Sequence, residues 1–163
     1  MISVYAQHII FLQIGKGNLQ MPTTVEIIQY PEQSTKYERP LFMTPVVAGF
    51  PSPADDYIEG KLDLNKHLII HPAATFFVKV AGDSMIEAGI HSGDILIVDR
   101  SLEPTDKKVV IAVVDGNLTV KRLHKKKNKV FLVPENGNFE PIQIEKETSF
   151  EIWGVVTNVI HKL

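Results

Sequence analysis

Short blocks of apolar residues, separated by turns rich in glycine, asparagine and aspartate, fill the chain after residue 72. Apolar blocks bounded in this way predict β-strands. Asp115-Gly116-Asn117 lies between two of them and is a strong signal for a hairpin turn. The expected strands cover residues 76–80, 94–99, 109–114, 118–123, 129–133 and 150–160. About six short strands predict a compact, mostly β domain of curved, barrel-like sheets.

One short helix is expected ahead of these strands. Ser52 can cap its start, Pro53 suits the first helical position, and Asp55 stands three residues after the cap. The pattern predicts a helix that runs to about Leu64.

Residues 1–48 differ from the rest of the chain, because four prolines interrupt them and few apolar positions are periodic. Their charges also cancel. Such a segment predicts an extended, flexible N-terminal arm, followed by a folded domain over residues 49–163. Met21 is an alternative start, which would make residues 1–20 an over-extended reading frame.

The amino-acid composition excludes several kinds of chemistry and of binding. The 163 residues are 44% apolar and 22% charged, as in an ordinary soluble protein, and the net charge of −2 argues against nucleic-acid binding through charge alone. The absence of cysteine excludes disulfides, thiolate catalysis and cysteine-ligated metals. No apolar run approaches the length of a membrane span and no signal peptide is visible, so a cytoplasmic location is expected.

Ser84 and Lys121 are the candidate catalytic pair. Ser84 follows a predicted strand and the permissive Gly82, where a serine can stand with backbone N–H groups behind it. Lys121 lies among apolar strand residues, whose burial would lower its pKa from about 10.4 and let it act as a neutral base. Taken alone, each residue is explained as well by a turn serine and a solvent-facing lysine.

Several motifs in order resemble the LexA/UmuD family of self-cleaving peptidases. They are GDSM at residues 82–85, GDILIVD at 93–99, DGNLTVKRL at 115–123, WGVV at 153–156, and VAGFPSPADDY at 47–57, which is similar to the UmuD self-cleavage segment in particular. The interval of 37 positions between Ser84 and Lys121 also suits that family. The resemblance covers roughly residues 44–163 and implies a LexA-like peptidase fold.

The resemblance implies a role for each site residue. Ser84 would be the nucleophile, Lys121 the general base, and the backbone amides of Ser84 and Met85 the oxyanion site. The bond cut would be Ala48–Gly49 of the chain itself, where the small residues let the serine approach. Ala48 departs mildly from UmuD proteins that carry cysteine there.

The resemblance also implies which partners the chain would bind. A UmuD-like chain would be a homodimer that cuts itself on a RecA–single-stranded DNA filament and then joins a UmuC-like Y-family polymerase for translesion synthesis in the SOS response. No cofactor and no metal are expected. His67 and His71 stand four apart, but no third ligand is in view and Pro72 breaks the segment.

Other functions stay open beside this one. A LexA-like or phage-repressor-like regulator would need a helix-turn-helix ahead of the cut, for which residues 1–48 are too short and too rich in proline. A signal peptidase would need a membrane anchor. A non-catalytic interaction module would keep the motifs without the activity. The basic run at residues 125–129 could touch DNA, although a solvated hairpin tip is the simpler interpretation.

Overall fold

A computed structural model describes residues 24–29, 37–42 and 58–163. The predicted Ala48–Gly49 cut and the helix start predicted at Ser52 lie outside the described residues, as does the alternative start at Met21. No helix in the described ranges is long and apolar enough to cross a membrane.

Eight strands form one antiparallel sheet in the order β1-β4-β5-β10-β6-β7-β8-β9. Its strands carry alternating or continuous runs of apolar residues, and most of the central positions of the sheet are buried. The strands are β1 (Thr24–Gln29), β4 (Thr75–Ala81), β5 (Ile95–Asp99), β6 (Val109–Val114), β7 (Asn117–Lys126), β8 (Lys129–Val133), β9 (Ile142–Ile144) and β10 (Phe150–Ile160). The sheet is curved, because β1 at one edge also lies beside β7. The predicted mostly β fold with curved sheets is confirmed.

A separate two-stranded sheet pairs β2 (Glu38–Phe42) with β3 (Ile58–Asp63). The helix α1 follows at Leu64–Leu68, and the Asp63 side chain caps it by accepting a hydrogen bond from the Asn65 N–H at 3.0 Å. The predicted helix up to Leu64 is therefore wrong over residues 58–63. These residues form a strand because β2, distant in sequence, supplies their hydrogen-bond partners.

The long strand β10 organises the sheet by pairing with β5 on one side and β6 on the other. Gly154 sits at its centre, next to a bulge in the pairing with β6. A Cβ atom there would lie 2.8 Å from Val98 Cγ1 and 2.9 Å from the Asp99 carbonyl oxygen. Only glycine fits this close approach between strands.

The main core cluster is formed largely by residues of β4, β5, β6 and β7. It includes direct chain neighbours of both candidate site residues. It contains Met85, which follows Ser84, and Val120, which precedes Lys121. Both are essentially inaccessible to solvent. The two candidate residues are therefore attached to the most rigidly packed part of the domain.

Candidate active site

The segment carrying Ser84 begins where β4 ends. Gly82 has φ of +96°, a conformation that favours glycine, and it turns the chain sharply out of the sheet. A short 3-10 helix, Ile86–Ala88, follows. Ser84 lies between the turn and this helix and is only 1% exposed.

The loop after β8 holds this turn in place. The Glu135 N–H donates to the Ser84 carbonyl at 2.8 Å, and the Glu87 N–H donates to the Glu135 carbonyl at 2.8 Å. The Asn136 side-chain amide donates to the Asp83 carbonyl at 2.9 Å. These bonds fix the backbone on both sides of Ser84, so the position of its hydroxyl is set before any substrate binds. Sequence reasoning did not identify Glu135 or Asn136.

Lys121 reaches the serine from β7. Its partner in the adjoining strand is the fully buried Val110 of β6, and Lys121 itself is 6% exposed. The neighbours Thr119 and Leu123, which alternate with it along the strand, are buried too. The structure therefore buries this face, whereas the sequence pattern alone left a solvent-facing lysine open.

Three oxygen atoms surround the Lys121 amine. Its Nζ lies 2.8 Å from Ser84 Oγ, 3.1 Å from Thr119 Oγ1 and 3.0 Å from the Val120 carbonyl oxygen. Among the described residues no carboxylate forms an ion pair with it. This environment provides hydrogen bonds but no compensating negative charge.

Burial without a counter-charge lowers the pKa of Lys121 from 10.5 to about 8, because desolvation disfavours the ammonium form. A neutral amine has two N–H donors and one lone pair. The Val120 carbonyl and the Thr119 hydroxyl can accept the two N–H bonds, which leaves the lone pair for the Ser84 O–H. The arrangement therefore suits a base that removes the serine proton.

Two other groups of residues considered from the sequence, a basic run and a pair of histidines, do not belong to this site. The lysines of the basic run are exposed at the tip of the β7–β8 hairpin, as the simpler interpretation expected. His71 contacts Asp99, with 2.6 Å between Nδ1 and Oδ2, while His67 is exposed on α1. The structure does not bring these two histidines together as a metal site.

Comparison with known proteins gives both a family and relatives. The Peptidase S24-like family matches residues 40–157, a range that contains Ser84, Lys121 and the predicted cut. Protein SamA of Salmonella typhimurium is 49% identical over 134 residues, which cover 82% of this chain and 91% of SamA. Protein ImpA of Escherichia coli is 45% identical over 81% of this chain and 90% of its own length. Protein MucA of Escherichia coli is 39% identical over 82% and 92%.

Proposed function

Because the chain belongs to the Peptidase S24-like family, we propose that it is a UmuD-type serine peptidase in which Ser84 and Lys121 cut the Ala48–Gly49 bond of the chain itself. The observation that carries the proposal is the buried 2.8 Å contact between Ser84 Oγ and Lys121 Nζ. A base with a lowered pKa, in hydrogen-bond contact with a hydroxyl, is the arrangement that activates a serine nucleophile.

The reaction follows from this geometry. Neutral Lys121 takes the Ser84 proton as Oγ bonds to the Ala48 carbonyl carbon, and the charge moves to the carbonyl oxygen. The backbone N–H groups of Ser84 and Met85 would stabilise that oxyanion. The tetrahedral intermediate then breaks the bond to Gly49, whose amine takes the proton from Lys121. Water, deprotonated by Lys121, hydrolyses the resulting ester and restores Ser84.

The chain presents its own bond to the serine as a tethered substrate. Strands β2 and β3 flank residues 43–57 and pair with each other, Phe42 opposite Ile58. Strand β1 pairs with β4 so that Thr24 is opposite Ala81, three residues before Ser84. Strand β1 is thus held in the main sheet, and β2 is held by β3, which follows the cut. Tethering raises the effective concentration of the bond, so modest chemistry suffices for one cut per chain.

The proposed biological role is that of a regulatory subunit. The uncut homodimer would meet a RecA–single-stranded DNA filament in the cytoplasm, cut itself, and join a UmuC-like Y-family polymerase for translesion synthesis during the SOS response. Support comes from the family and from relatives that match this chain over at least nine tenths of their length. The alternative, an interaction module without activity, gives no reason for a desolvated lysine against the serine.

The first test is the position of the cut. Incubating the purified full chain with RecA, single-stranded DNA and ATP should convert it into two fragments, the larger beginning with Gly49-Phe50-Pro51. Intact-mass spectrometry identifies both products, and a reaction without DNA is the control. A principal cut at another bond would contradict the assignment of Ala48 and Gly49.

The second test is the pH dependence of uninduced cleavage. Lys121 must be neutral to accept the serine proton, and with a pKa of about 8 it is protonated at low pH. Roughly a tenth of the molecules carry the neutral form at pH 7 and half at pH 8. The rate should therefore rise about fivefold between these values and level off above pH 9. A rate that is flat or falls, with the fold intact by circular dichroism, would exclude Lys121 as the base.

A further inference from the structure

A second cluster of ionisable side chains lies where β10 ends beside the start of β5. His91 and Asp94 belong to the turn before β5, and His161 directly follows β10. Because Ile160 pairs with Ile95 in the antiparallel register, His161, the residue after β10, comes opposite Asp94. One ligand atom from each of the three side chains lies within 4.8 Å of the others. The cluster thus follows from strand register and not from closeness in sequence.

Asp94 is the centre of the cluster. Its side chain is 3% exposed, and its Oδ1 lies 2.7 Å from His161 Nδ1 while its Oδ2 lies 3.8 Å from His91 Nδ1. The His91 backbone N–H donates to Oδ2 at 2.8 Å and fixes the carboxylate. Each carboxylate oxygen therefore faces one imidazole nitrogen, and the two rings lie 5.1 Å apart between centroids.

The Nδ1 atom of His91 is the unusual atom of this cluster. It is buried, and among the described residues it has no hydrogen-bond partner. A buried polar atom without a partner is rare and calls for an explanation, such as an ion that binds there. The rest of both imidazoles is close to half exposed, so an ion can reach the cluster from solvent.

We propose that His91, Asp94 and His161 form a Zn²⁺ site. Two imidazole nitrogens and one carboxylate oxygen are donors that zinc accepts, whereas Mg²⁺ and Ca²⁺ prefer oxygen ligands alone. Both histidines would bind through Nδ1, with their ring protons on Nε2. Zinc would displace the proton of the hydrogen bond between His161 Nδ1 and Asp94 Oδ1. Three protein ligands leave the fourth tetrahedral position to water.

Such an ion would link the end of β10 to the segment that carries Ser84. The turn with His91 and Asp94 is already bonded to β4, since the Gly93 N–H donates to the Val80 carbonyl at 2.8 Å. Ser92 Oγ accepts a bond from the Gly82 N–H at 3.3 Å. All three ligands lie after the predicted cut, so the site exists in both the cut and the uncut chain. The proposal is therefore independent of self-cleavage.

The test is a zinc titration of the metal-free, tag-free full chain by calorimetry. We expect one strongly bound equivalent of Zn²⁺ and no comparable binding of Mg²⁺. His91→Gln and His161→Gln should each lower the zinc affinity by at least about tenfold, because even residues that only orient a ligand have effects of that size. His67→Gln, a change of an exposed histidine on α1, is the matched control and should bind like the original chain.

A second measurement needs no substitution and so does not depend on how a variant folds. In NMR spectra of the unaltered chain, zinc should shift the imidazole nitrogen signals of His91 and His161 and leave the other four histidines unchanged. Binding of less than one equivalent, equal affinity in both glutamine variants, or shifts confined to other histidines would each overturn the proposal.

Discussion

Replacing Ser84 by alanine, or Lys121 by methionine, should abolish self-cleavage, with a rate loss of at least roughly a thousandfold for either change. The first change removes the proposed nucleophile, and the second removes the amine whose Nζ lies 2.8 Å from Ser84 Oγ. Methionine keeps most of the length of the buried lysine side chain and so avoids a cavity. Intact-mass spectrometry over a time course at pH 9 measures the loss.

Matched controls separate chemistry from folding. Ser149→Ala and Lys79→Met change an exposed serine and an exposed strand lysine, and both variants should cut at the original rate. The double variant Ser84→Ala/Lys121→Met should be no slower than either single one, because the two groups act as a unit. A Ser84→Ala chain that is folded and still cuts at Ala48–Gly49 would disprove the mechanism.

Much of the sheet could be predicted from the sequence, because the pattern of apolar blocks is local information. The strands predicted at residues 109–114, 129–133 and 150–160 agree with β6, β8 and β10. The apolar pattern did not predict β1, β2, β3 or β9. The first three carry prolines or polar residues, and they are strands because distant segments pair with them. Local patterns contain no information about such pairing.

The site was harder to predict than the sheet. The apolar neighbours of Lys121 indicated burial, and alternation along the strand placed Thr119 on the same face. Nothing local indicated that Lys121 would meet Ser84, 37 positions earlier, and only the resemblance suggested it. The residues of the proposed zinc site show the same limit. His161 and Asp94 are 67 positions apart and meet only through the register of β10 with β5.

A slow basal rate of self-cleavage fits both the lowered pKa of Lys121 and the proposed role of the chain. A lysine with a pKa of about 8 is mostly protonated at neutral pH, so we expect uninduced cutting to be slow. A slow reaction is sufficient when each chain cuts once, and it keeps the uncut form available until a signal arrives. An inducing filament then needs only to favour the conformation in which the bond reaches Ser84.

A chain that begins at Gly49 and carries both Ser84→Ala and Lys121→Met should restore damage-induced mutagenesis to a strain that lacks its own subunit. If cutting serves only to remove the arm, the catalytic pair has no task afterwards. Residues 1–48 include β1, which pairs with β4 and lies beside β7, so their removal uncovers surface on these two strands. That change would shift the population towards the form that binds the polymerase.

The control is the full chain with the same two substitutions, which cannot remove its arm and should leave mutagenesis at the level of the strain without a subunit. The effect to be measured is therefore nearly all or none, scored as the frequency of induced revertants after ultraviolet irradiation. Comparable protein levels must be verified by immunoblot. If the shortened chain binds its polymerase but mutagenesis still requires Ser84, the peptidase acts on a second substrate, and the proposal of a subunit matured by one self-cleavage is wrong.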